Sequence, residues 1–262
     1  MDLPKPWVDG PFGLIPASTS GDSTGKRAVG ARACSSEMTV VHNTIIRGAN
    51  AIYLQAVNVE KLGTPKDQSD FVYFALRWAE RLHEHHNTEE TMLFPAINEI
   101  TKMPTLMDGN LEEHLAFQTG LEDFTGYLES VHEQITVYDG TKTRALMNNF
   151  MPALHGHLWN EIDTLNALEK WDEMVDWPVW FRDRVSARVS GLMKESRFRT
   201  ELFPLAFILH DKTWENGLWS AFPPIPWGIT IVLRWLFVRK KDDWWRFAGC
   251  DYDSMPKELP FA

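Results

Sequence analysis

The chain has 262 residues, 44% apolar and 24% charged, enough to build a real core in one large domain or two small ones and too balanced for a disordered chain. Lys plus Arg number 26 against 36 Asp plus Glu, a net charge of -10 that argues against a nucleic-acid partner or an anionic lipid surface, since both need a basic face. Two cysteines, Cys34 and Cys250, exclude a disulfide framework, and the first ten residues lack the basic-then-apolar order of a secretory signal, so an intracellular, cytoplasmic location is expected.

In chain order, residues 1–34 read as an irregular arm broken by Pro4, Pro6, Pro11 and Pro16, with Trp7 and Phe12 available to pack onto something. Residues 35–171 carry four helical stripes. The first runs Met38, His42, Ile45, Ala49, Ile52, Ala56 and ends at Gly63-Thr64-Pro65. The second starts near Ser69 or Asp70 and runs Phe71, Ala75, Ala79, Leu82, His86, Glu90, Leu93, Ile97, with Pro95 expected to kink or end it. The third starts near Asp108 and includes His114; the fourth follows Asp139-Gly140 and carries Met147, Phe150, Leu154, His157, Glu161 and Leu165. This predicts an all-α, up-down-up-down four-helix bundle. Residues 172–262 form a Trp-rich extension expected to pack on the bundle, beginning with a helix from Trp177 to about Lys194. Within it, residues 222–238 are mostly apolar but short of the ~20 residues a membrane span needs, so membrane contact is not expected.

Each stripe holds a polar residue where an apolar one is due: His42, His86 with Glu90, His114, and His157 with Glu161. Residues four apart stack on one helix face, so each His-x-x-x-Glu aims an imidazole and a carboxylate at one point. Carboxylates buried without partners cost several kcal/mol, so this set requires a cation, and nitrogen and oxygen donors suit iron, manganese or zinc. At ~1.5 Å per residue His42 and His86 lie level across the first turn; the third and fourth helices agree in level only if the third ends near Gln134.

The run His86-Asn87-Thr88-Glu89-Glu90-Thr91-Met92-Leu93-Phe94-Pro95 resembles a stretch of hemerythrin-like (HHE cation-binding) domains, and His42, His114 and His157-x-x-x-Glu161 fall where that family puts further ligands. The arm and tail resemble extensions of fungal members. The resemblance implies a non-haem di-iron centre bridged by Glu90 and Glu161, with His42, His86, His114 and His157 as terminal ligands, two per metal. Oxygen-carrying hemerythrins use five His, and only four are in phase here. His85 and His155 lie one residue off their stripes, rotated by about 100°, where either would sit on a polar face, support a ligand from behind or take an open metal position. Four terminal ligands leave positions open, which favours reactivity over reversible carriage.

The expected function is binding or activation of O2, or of NO or peroxide, with an oxidoreductase acting on a small organic substrate as the fuller form. The alternatives are iron storage or sensing without turnover, and a zinc or mononuclear Lewis-acid hydrolase or lyase. Glu80-x-x-His83 and Glu129-x-x-His132 read as surface pairs rather than a ferritin-like set, and the arginines from Arg182 to Arg199 as a solvated face.

Overall fold

The structure, a computed structural model, describes residues 7–16, 28–225 and 227–262. Its architecture is all-α. Helices α1 (Ala31–Leu62), α2 (Pro65–Thr88), α4 (Asp108–His132) and α5 (Gly140–Asn166) form the bundle, and α3 (Phe94–Thr101) continues α2 beyond a widened turn. α1 packs on α2 and α5, and α4 packs on α2 and α5, so the four rods close a ring around one core.

The helix ends follow from local chemistry. Thr64 and Asp67 make a reciprocal capping box, and Pro65 occupies the first helical position, where its missing N–H costs nothing. The second helix therefore starts at Pro65, earlier than its apolar stripe. α1 likewise starts at Ala31 rather than Ser35, because the Asp172 carboxylate, just past the end of α5, accepts the Ala31 N–H at 2.9 Å. α4 ends at His132, and Gln134 takes a left-handed turn at φ 61°, the early ending that levels the third and fourth helices. Asp139 caps α5 by accepting the Lys142 N–H at 2.7 Å.

Three buried polar residues on the back of α1 fasten the arm. Asn43 exchanges two hydrogen bonds with the Ile15 backbone, Asn50 accepts from the Phe12 N–H and donates to the Val8 and Phe12 carbonyls, and Arg47 pairs with Asp9 at 3.1 Å. The tail closes over the same side: the Trp7 indole donates to the Gly249 carbonyl, and Gln55 donates to that of Phe247. α6 (Trp177–Leu192) packs on α1, and Trp177 and Trp245 are buried. Among the described residues no helix is long and apolar enough to cross a membrane. The tail's basic run is largely neutralised, with Arg182 on Asp183, Arg188 on Glu84 and Arg197 on Glu80.

Gly48 is a contact point of the bundle. The Trp78 ring lies against its α-carbon, fixed there by an indole hydrogen bond to the Ile45 carbonyl at 3.0 Å, and a methyl group would run into that ring. Gly48→Ala should therefore destabilise the fold by about 1–3 kcal/mol despite alanine's better helix propensity, measured as a lowered midpoint in urea. An unchanged or raised midpoint would contradict this packing.

Candidate metal centre

α2 and α3 form one rod interrupted by a widened turn, Glu89–Leu93, in which the Phe94 N–H donates to the Glu89 carbonyl five residues back. Pro95 accounts for it. Proline has no N–H to give, and in a regular helix its ring would crowd the carbonyl of Thr91, four residues earlier. A single wide turn relieves that conflict at the cost of one extra residue. The inward face then passes from Glu89 to Leu93, both buried, while the Glu90 side chain is 44% exposed.

Two groups of donors result, each gathered so that its ligand atoms lie within 4.8 Å of one another. One comprises His86, Glu89, His114 and His157; the other comprises His42, His85, Glu89 and Glu161. Glu89 belongs to both. His85 Nε2 is 3.0 Å from one Glu89 oxygen, and His114 Nε2 is 3.7 Å from the other. Glu161 reaches across as well, one oxygen standing 3.4 Å from His42 Nε2 and 3.6 Å from His157 Nε2. Phe94 and Phe117 from the bundle, rather than the tail tryptophans, pack their rings against these imidazoles.

The outer nitrogens set the tautomers. His42 Nδ1 donates to the Leu158 carbonyl at 2.8 Å, His114 Nδ1 to Glu90 at 2.6 Å, and His157 Nδ1 to Glu113 at 3.1 Å. Asn160 holds Glu113 in turn. These acceptors keep the proton on Nδ1 and leave Nε2 with a lone pair aimed inward. His114 Nε2 and His157 Nε2 consequently face each other at 3.0 Å with no proton to share. Burial holds His157 down to about 3 and pushes His85 and His86 well below the usual imidazole range. Glu89 is pushed well above the usual carboxylate range, by burial first and then by the Glu161 and Glu90 charges.

The Nε2 atoms of His42, His85 and His86 and all four carboxylate oxygens of Glu89 and Glu161 are buried without a hydrogen-bond partner. The close pairs among them converge on shared points instead of aligning donor to acceptor. Unpaired buried polar atoms of this number are rare in folded proteins, and cations are the partner that answers all of them. Nitrogen and oxygen donors with no thiol nearby fit iron, manganese or zinc.

Of the residues expected from sequence, His42, His86, His114, His157 and Glu161 come together, and Glu90 does not. The carboxylate between the groups is Glu89, four residues after His85 and three after His86, while Glu90 stands behind His114. The residue not foreseen is therefore Glu89, legible with His85 as a second His-x-x-x-Glu pair in the same run, and of the two off-stripe histidines it is His85 that joins the centre. Five imidazoles converge rather than four, so one of the positions left open by a four-histidine set is filled. His155 is absent from both groups and meets the Gly13 carbonyl at 2.8 Å, anchoring the arm.

Residues 35–168 match the family model described as the hemerythrin HHE cation binding domain. The chain is also 32% identical over 262 residues to the "Dimeric xanthone biosynthesis cluster protein R11" of Cryptosporiopsis sp. (strain 8999), covering 99% of this chain and 94% of that protein. No solved structure gives a significant match.

Two predictions separate the carboxylates. Glu89→Gln should cost the protein at least one of two bound metals, whereas Glu90→Gln should keep both with affinity lowered by about tenfold or more; metal counted per chain after dialysis decides, and the reverse pattern would restore Glu90 as the ligand. Burial raises the proton affinity of Glu89, so a metal competes with a proton there and affinity should rise with pH. Calorimetric titrations at several pH values should show this, and an affinity independent of pH would contradict it.

Proposed function

We propose, from the premise that the chain belongs to the hemerythrin HHE cation-binding family, that it is a non-haem di-iron protein that binds or activates O2, or a related species such as NO or peroxide, in the oxidation of a small organic substrate. The observation that carries this reading is the gathering of five imidazoles and two buried carboxylates into two groups whose ligand atoms lie within 4.8 Å of one another, with no thiol among them. His42, His85 and Glu161 would hold one metal and His86, His114 and His157 the other, with Glu89 between them. When bound, a pair of irons would supply the electrons that O2 chemistry requires.

The chain's own residues supply the rest. Leu158, Glu90 and Glu113 hold three imidazoles in the tautomer and orientation a metal needs. The two carboxylate partners increase the donor strength of His114 and His157. Phe94 and Phe117 pack their rings against His114. The relative's name places that protein in a biosynthesis cluster, which supports turnover on a small organic molecule over storage or sensing.

A redox-inert zinc centre is the second reading, favoured by the group His86, Glu89, His114 and His157, whose four donors suit a tetrahedral ion. Oxygen uptake separates the two. Protein loaded with Fe(II) under anaerobic conditions and then mixed with O2 should consume it with a change in the optical spectrum, and Glu161→Gln should abolish both. Protein purified with zinc that takes up no O2 after iron loading would overturn the di-iron reading.

A further inference from the structure

Arg81 lies four residues before His85, so the two side chains leave the same face of α2 one turn apart. The acids that flank it on the helix are engaged elsewhere. Glu80 pairs with Arg77 at 3.1 Å and with Arg197 at 2.8 Å, and Glu84 holds Arg188 and the Thr88 hydroxyl. Among the described residues Arg81 makes no hydrogen bond, ion pair or ring contact. Its side chain keeps some solvent-accessible surface, yet burial pushes its guanidinium down to about 10. The guanidinium is crowded by protein on most sides and still reached by solvent.

Its charge stands close enough to His85 to act on that imidazole. The His85 side chain is 12% exposed, against 0% for His42 and His157 and 5% for His114. Of the five imidazoles His85 keeps the most contact with solvent, on the helix face it shares with Arg81. An unpaired guanidinium is costly to leave beside a site that collects cations, because the two shared carboxylates do not neutralise a pair of divalent metals and Arg81 adds to the excess. An anion is its complement. The planar, forked donors of arginine match a carboxylate in bidentate fashion.

We propose that Arg81 is an anion-binding residue beside the metal centre, holding the carboxylate of a small organic substrate against the position framed by His42, His85, Glu89 and Glu161; this rests on the metal-centre reading above. Arg81 sets which substrates are accepted and where their reactive carbon lies.

The test uses the full chain loaded with Zn(II), so that no turnover is needed, with benzoate and formate as probes and benzamide as the neutral counterpart of benzoate, followed by calorimetry. Wild type should bind a carboxylate in a one-to-one ratio and leave benzamide unbound. Arg81→Met should weaken carboxylate binding by about tenfold or more while holding as much metal as wild type, and Arg81→Lys should recover part of the loss. Metal-free Arg81→Met should unfold at the same temperature as wild type or higher, since no partner is lost; a guanidinium with a structural role would lower it. Equal carboxylate affinity in wild type and Arg81→Met, or binding of neither probe by metal-loaded wild type, overturns the proposal. Wild type that holds no metal overturns the metal-centre reading and the proposal with it.

Discussion

Two carboxylates, Glu89 and Glu161, are almost wholly removed from water between five imidazoles whose lone pairs point at them and at one another. Such an arrangement repels itself when metal-free, and burial makes the repulsion expensive because the interior screens it poorly. Everything around the site works to hold it regardless. The helix ring fixes the heights, the Leu158 carbonyl and the Glu90 and Glu113 carboxylates fix the ring tautomers, and the arm and tail clamp the outside of α1. A scaffold that spends packing on an unfavourable array is preorganised for a ligand that reverses the sign of the interaction.

The bundle was largely legible in the sequence because apolar periodicity reports directly on which helix face is buried. The four stripes, the levels of the histidines and even the early end of the third helix followed from spacing and rise. The starts of α1 and α2 did not. They depend on Asp172 and on the Thr64–Asp67 box, contacts that a stripe of apolar residues cannot express.

The site was legible in type, and the structure gathers Glu89 with the histidines where spacing pointed to Glu90. A regular helix repeat passes from His86 to Glu90 as readily as from His85 to Glu89, and the choice between them turns on the widened turn at Glu89–Leu93. Pro95 announced a disturbance, and a kink was the natural expectation; the structure absorbs it as an extra residue in one turn instead. That single residue carries several consequences. It makes Glu89 the shared carboxylate, recruits His85 as a fifth imidazole and converts Glu90 into the orienting partner of His114. Arg81 escaped notice for a different reason, since an arginine between two glutamates on a helix reads as a surface pair until the structure shows both glutamates taken.

The central claim is that Glu89, and not Glu90, lies between two metals. Anomalous diffraction at the iron edge, from crystals of the iron-loaded protein, tests it most directly. The account predicts two peaks about 3.5–4 Å apart, one beside His42, His85 and Glu161 and the other beside His86, His114 and His157, with Glu89 density reaching both. A single peak, or two peaks joined through Glu90, would contradict it.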